Sequence, residues 1–438
     1  MVVAPWNRVA SNGLKRNSQK LKDALFPRLY RRYDFIDFRL FFKHRATIFP
    51  MQHPRERHHL IFALNILTFL LTLHTALPVY INSSYLSTFL NERYVGLIYS
   101  FCSILSIIAF VGVSKMLRQY GNYRLFIGLL IIEIFSLIGM TFAHSAMYLI
   151  AVFAVNFVSI ALLGFCIDIF LESFSTNAAT GKIRGLLLTG ANAAWIVAAL
   201  VTSVILSDGD YWKIYGAAAL LFIPVIFLFR LNFKNFKDKP YRSLPYLKNF
   251  KEVMRNKNIR SILFVGFLLQ FFYAWMVIYT PLYLHNHIGF SWNVIGIIFS
   301  VMLLPFVITE LPLGRLADTR FGEKEMLCIG FIITALSTAY ISFISSSSVA
   351  LWMSVLFITR IGASIIEIMS ETYFFKKISP EDTEAVSIFR TVRPLAYIVS
   401  PLIATVLLWF VDIRFMFTAL GIILLLGLGS SLALKDTR

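Results

Sequence analysis

Residues 291–324 read SWNVIGIIFSVMLLPFVITELPLGRLADTRFGEK. The first part, 291–314, carries one charged residue, Glu310. It is long enough to cross the hydrocarbon core of a bilayer, which takes about 20 mostly apolar residues. The chain then runs directly into a short polar loop holding Arg315, Asp318, Arg320 and Lys324. A long apolar run closed by a compact basic loop is the unit from which the rest of the chain is built.

Eleven more runs of this kind flank it, so that twelve spans lie near 60–80, 94–116, 124–143, 146–170, 185–207, 211–231, 260–284, 291–314, 325–344, 348–371, 384–408 and 413–434. Backbone groups in hydrocarbon must find partners within their own segment, so these runs are helices. A β-barrel would need alternating segments of about ten residues, a pattern the chain lacks. Composition agrees: 58% of the 438 residues are hydrophobic and 15% charged, against about 45–50% and about 25% in soluble domains. That excludes a soluble enzyme and a disordered chain. The expected fold class is an all-α polytopic membrane protein.

The net charge of +18 could suggest nucleic acid, but its placement says otherwise. The tail 1–57 holds 13 of the 41 Lys and Arg, and ten lie between Arg230 and Arg260. Most of the others fall on the same side: Lys115, Arg118 and Arg124, then Lys182 and Arg184, Arg315, Arg320 and Lys324, Lys376 and Lys377, and finally Lys435 and Arg438. The opposite side has Arg93, Lys213 and Arg414. Positive charge stays on the cytoplasmic side, so both termini are expected there, in a multi-pass protein of the inner (cell) membrane. No nucleic-acid partner is needed.

The basic tail also carries Phe26, Tyr30, Phe35, Phe38, Phe41 and Phe42. Three readings stay open for it: an amphipathic helix on anionic lipid, disorder, or a natural start at Met51 that leaves residues 1–50 outside the native protein. The three cysteines, Cys102, Cys166 and Cys328, sit in apolar runs and read as buried hydrophobes. No phosphate-binding GxxxxGK[ST] loop, HExxH or CxxC occurs. The reading is therefore of a chain with no metal, no cofactor and no catalytic residue, driven by a gradient, most simply of protons.

The chain repeats itself. Pro78-Val-Tyr-Ile answers Pro281-Leu-Tyr-Leu, and Val95-Gly-Leu-Ile-Tyr-Ser answers Ile295-Gly-Ile-Ile-Phe-Ser. Gly121 answers Gly322, Asp168-Ile-Phe-Leu-Glu172 answers Glu367-Ile-Met-Ser-Glu371, and Ala194-Trp-Ile-Val-Ala answers Ala396-Tyr-Ile-Val-Ser. Each match recurs about 200 residues on, in order. Six spans per half give both halves one orientation, so the repeat is parallel, about an axis along the membrane normal. The expected organisation is a tail 1–59, a six-helix bundle 60–231, a cytoplasmic linker 232–259 and a second six-helix bundle 260–438.

The string Gly314-Arg-Leu-Ala-Asp318-Thr-Arg320-Phe-Gly322-Glu-Lys324 resembles the signature loop of the major facilitator superfamily. Together with the twelve spans, the repeat and the basic central loop, the resemblance covers residues 60–434. Two departures are visible: Thr319 adds a residue, and the first-half copy, Val113 to Gly121, has Leu117 in place of the acidic residue. The resemblance implies that Asp318 approaches Arg184 and Gly185 as a latch. It also implies that spans one, four, seven and ten line a central cavity. On them lie Asn65, His74, Asn156, Gln270, Tyr273, Trp275, Tyr279 and Arg360.

Charge within a membrane is costly and marks function by default. Arg360, Ser364, Glu367 and Glu371 share one helical face. Glu367, Glu371, Arg390 and Arg393, with Asp168, Glu172 and Glu310, are read as ion pairs of a cytoplasmic gate. Glu133, deep in the third span, is read either as a proton site or as a packed partner.

The expected function is secondary transport of a small organic molecule by alternating access, as proton-coupled export or exchange of an amphiphilic compound by a monomer in contact with lipid. The alternatives are import of a small anionic metabolite through Arg360 and a non-transporting sensor or scaffold on the same architecture.

Overall fold

The computed structural model describes residues 54–174, 180–206, 208–234, 254–309, 322–377 and 383–435. The basic tail, most of the linker and the loop from Gly314 to Arg320 lie outside these ranges. Every regular element among the described residues is a helix. In chain order the α-helices are α1 Pro54–Val79, α2 Asn82–Ser87, α3 Glu92–Thr141, α4 Ala146–Phe174, α5 Thr180–Ile205, α6 Tyr211–Leu220, α7 Phe222–Phe233, α8 Lys257–Leu282, α9 Trp292–Ile308, α10 Glu323–Ile341, α11 Val349–Lys377, α12 Thr383–Leu407 and α13 Met416–Leu432. Nine helical segments among the described residues are long and apolar enough to cross a membrane. Three shorter ones, Gly190–Ile205, Trp292–Ile308 and Thr391–Leu407, fall where the sequence puts spans five, eight and eleven.

Two local departures have simple causes. Spans two and three join into the single element α3, bent at Gly121 with φ 76° and ψ 163°. That backbone region is open to glycine and strained for other residues. The next residue, Asn122, donates from Nδ2 to the Cys166 carbonyl at 3.0 Å and ties the bend to α4. The sixth span is divided at Leu221 into α6 and α7. Pro224 has no N–H to offer the carbonyl four residues earlier, so the helical ladder is interrupted there.

The halves meet on the face where α2 leads into α3 and α8 into α9. Ser100 Oγ of α3 donates to the Ile398 carbonyl of α12 at 2.9 Å, and Ser103 Oγ to the Tyr397 carbonyl at 3.3 Å. On the same face His287 Nε2 lies 3.0 Å from Glu92 Oε2, and Asn286 Nδ2 lies 3.4 Å from Ser87 Oγ.

The repeat read from the sequence is legible at this seam. A Cβ on Gly96 would strike Tyr279 Oη, Thr405 Oγ1 and, at 2.6 Å, the Pro401 carbonyl. One on Gly296, its repeat partner, would strike Ser203 Cβ and, at 2.6 Å, the Ala199 carbonyl. Pro401 and Thr405 are themselves the repeat counterparts of Ala199 and Ser203. The seam is thus one contact used twice, α3 on α12 and α9 on α5, as a parallel two-fold repeat requires.

Candidate functional site

Arg360 lies on α11 and is 3% exposed. Its guanidinium carbon stands 5.0 Å from the Phe272 ring centre and 6.0 Å from that of Tyr273, both on α8. Tyr80, which follows α1, and Tyr397 on α12 are within electrostatic reach. Tyr80 packs on Phe299 of α9 at 4.8 Å and on Trp195 of α5 at 5.9 Å. The guanidinium therefore sits where both halves come together. Cation–π contact stabilises such a group by about 2 kcal/mol when it is desolvated. Its Nη1, however, is buried without a hydrogen-bond partner. Leaving a buried charged donor unpaired costs several kcal/mol, so the arrangement suits an anionic group brought from outside.

The rest of the predicted α11 face lies beside it. Ser364 Oγ pairs with Thr309 Oγ1 at 2.9 Å, and Glu367 Oε2 accepts from Tyr273 Oη at 2.8 Å. Glu367 and Glu371 are half-buried. Glu367 feels Arg393 electrostatically, and the Arg393 guanidinium lies 5.8 Å from the Tyr397 ring centre. The hydrogen-bond partner of Glu367 is thus a tyrosine, where the sequence led us to expect an arginine. On α8, Phe267, Gln270, Tyr273 and Val277 are half-buried in an otherwise buried stretch. Their spacing of three or four residues makes one stripe, which leads along the Tyr273–Glu367 pair toward Arg360.

A second polar group lies inside the first half. Glu133 on α3 is fully buried at 0% exposure. Its Oε1 accepts from Asn156 Nδ2 of α4 at 2.7 Å and lies 3.5 Å from His74 Nε2 of α1. Ser136 Oγ donates to the Glu133 carbonyl at 2.8 Å and lies 3.4 Å from Oε2. The His74 ring stands edge-on to Phe222 of α7, with centres 4.5 Å apart. The resemblance put His74 and Asn156 on the cavity wall. The structure instead turns both into the first bundle, onto the carboxylate that the sequence placed deep in the third span.

The other expected residues are placed as follows. Asn65 donates to the Ile61 carbonyl of its own helix at 2.9 Å. Trp275 and Tyr279 are fully buried in an aromatic stack with Phe271, and Tyr279 Oη reaches the Pro401 carbonyl at 3.5 Å. Tyr279 packs the seam against Gly96, and neither residue is on the α8 stripe. Gly322 is the N-cap residue of α10 with φ −78°, so it does not reproduce the bend of its counterpart Gly121. Lys324 follows in the first turn. Glu310, Gly314, Arg315, Asp318 and Arg320, and the side chains of Asp168, Glu172 and Arg390, lie outside the described residues. Sequence reasoning passed over Ser136, Phe272, Tyr80 and Tyr397. The two tyrosines were within reach, since both stand in strings that revealed the repeat.

Residues 281–437 match the sequence profile of the Major Facilitator Superfamily. No curated protein matches the chain. Among solved structures, the nucleoside transporter NupG is similar with a TM-score of 0.69 and 14% identity, over 86% of this chain and 100% of that one. A bacterial homologue of the human lysosomal transporter Spinster, in an inward-facing and occupied conformation, is similar at 0.63 and 13%, over 87% and 94%. The human organic anion transporter MFSD10 follows at 0.59 and 14%, over 87% and 100%. At these identities the structures speak for the fold alone. Residues 281–437 thus carry the profile of the superfamily, and the fold of the chain is similar to that of these transporters.

Proposed function

We propose that the protein moves a small organic molecule across the cell membrane by alternating access, with a substrate site between the halves 60–231 and 260–438. The observation that carries this reading is the seam. Equivalent contacts around Gly96 and Gly296 close one face, and such paired contacts can part together when the halves rock. With both termini in the cytoplasm, as the basic connections argue, the closed face is the external one. Export or exchange of an amphiphilic compound against protons suits the aromatic lining and the absence of a nucleotide-binding loop from the sequence.

A second reading concerns the cargo. The unpartnered Nη1 of Arg360 favours a small anionic metabolite, whose carboxylate or phosphate would complete the hydrogen bonding of the guanidinium.

Thermal-shift screening of the purified protein against small carboxylates, organic phosphates, neutral amphiphiles and cationic amphiphiles tests both. Anions should stabilise the wild type and leave Arg360→Ala unmoved. Stabilisation by neutral or cationic amphiphiles in both proteins would reject the anionic cargo. Flux of the stabilising compound in proteoliposomes, with and without a pH gradient, then tests transport. Folded protein that moves none of them would be a scaffold.

A further inference from the structure

We infer that His74 and Glu133 together form the proton-binding site of this transporter, holding one shared proton inside the first bundle and away from the substrate site. The inference rests on the transport reading above and adds where the driving ion binds.

The argument is a count of donors and acceptors. Thr75 Oγ1 spends its hydrogen on the Leu71 carbonyl at 2.9 Å, so toward His74 Nδ1, 3.5 Å away, it can only accept. A neutral imidazole that donates from Nδ1 presents a bare lone pair at Nε2. That lone pair would face Glu133 Oε1, itself an acceptor, at 3.5 Å, and Nε2 is buried with no other partner. The opposite tautomer moves the mismatch to Nδ1 and Thr75. One additional proton removes it: both ring nitrogens then donate, or the carboxyl donates to Nε2.

The carboxylate shows the same shortage. A buried, ionised carboxylate is held by two or three good donors, whereas Glu133 has one short bond, from Asn156 at 2.7 Å. The Ser136 hydroxyl, its other neighbour, is directed at the backbone. Around the pair stand Thr75 from α1, Ser136 from α3, Asn156 from α4 and the Phe222 ring from α7. Among the described residues, the titratable group facing Glu133 is His74. With one proton the pair is neutral overall, and without it a bare negative charge is left in an apolar bundle. Release therefore waits for water, which ties the proton to a change in packing. Six residues beyond His74, Tyr80 packs on Phe299 of the other half, so a shift of α1 is felt at the seam.

The test uses the full chain in lipid vesicles. Infrared difference spectra between about pH 5 and 9 should show the carbonyl band of a protonated carboxyl group rising and falling. Glu133→Gln should abolish that band, and His74→Gln should keep it while moving its midpoint by about one pH unit or more. In parallel, a Ser100→Cys reporter on the closed face is labelled with a membrane-impermeant maleimide. Its rate should change several-fold with pH in the wild type and become pH-independent in Glu133→Gln. A band that survives Glu133→Gln, or a pH dependence that does, overturns the assignment and leaves transport standing. A reporter that stays unlabelled at every pH, and also when Gly296→Ala is added, removes the alternating-access reading and this inference with it.

Discussion

Gly296→Ala places one methyl group between α9 and α5, helices of opposite halves. The new Cβ would meet Ser203 Cβ, lie 2.6 Å from the Ala199 carbonyl and 3.1 Å from Ser203 Cα. Ordinary contact begins near about 3.4 Å, so the helices must separate by roughly 1 Å or distort. Overfilling a packed contact costs about 1–3 kcal/mol. On the proposed alternating-access mechanism the contact exists only while this face is closed, so the whole cost falls on the closed state. The open fraction should rise about 5- to 150-fold. The Ser100→Cys reporter reads this directly. Ser100 bonds across the seam to Ile398, and the labelling rate scales with the open fraction when opening is rare. Gly96→Ala should act alike, since its Cβ would lie 2.6 Å from the Pro401 carbonyl. The two should add when combined, being separate sites. Gly112→Ala, with no atom of the described residues within 4 Å of the added atom, is the control. Labelling rates unchanged in Gly296→Ala, Gly96→Ala and the double variant would refute the seam as a moving contact.

Three further outcomes are expected. Gly121→Ala forces a side chain onto φ 76°, which costs about 1–3 kcal/mol, so its melting temperature should fall while that of Gly112→Ala holds. Tyr273→Phe keeps the ring beside Arg360 but removes the 2.8 Å donor to Glu367, a bond contributing about 1.5–3 kcal/mol when the acceptor is charged. Stability should drop, and Glu367→Gln should add little to it in a double-mutant cycle; full additivity would argue against the bond. His287→Ala breaks the 3.0 Å bridge to Glu92, which is partly exposed and contributes up to about 1 kcal/mol. Reporter labelling should rise no more than about fivefold, and a rise of a hundredfold would mean the bridge carries the seam.

The spans, their order and the doubling of the chain could be read from residue order alone. A segment such as 291–308 must satisfy its own backbone in lipid, so a long apolar run determines a helix wherever the fold puts it. The repeat was legible because its marks, Gly96 with Gly296 and Pro78 with Pro281, are local strings. The site was less so. Nothing in the sequence brings His74, Glu133 and Asn156 together, although they meet within 3.5 Å, nor does it leave Arg360 Nη1 without a partner. Helices that are apolar all round carry no stripe to tell which side faces a neighbour. Their rotation about their own axes is settled by close packing and by the few polar pairs they can form. Those choices involve helices far apart in the chain, and only the packed molecule makes them.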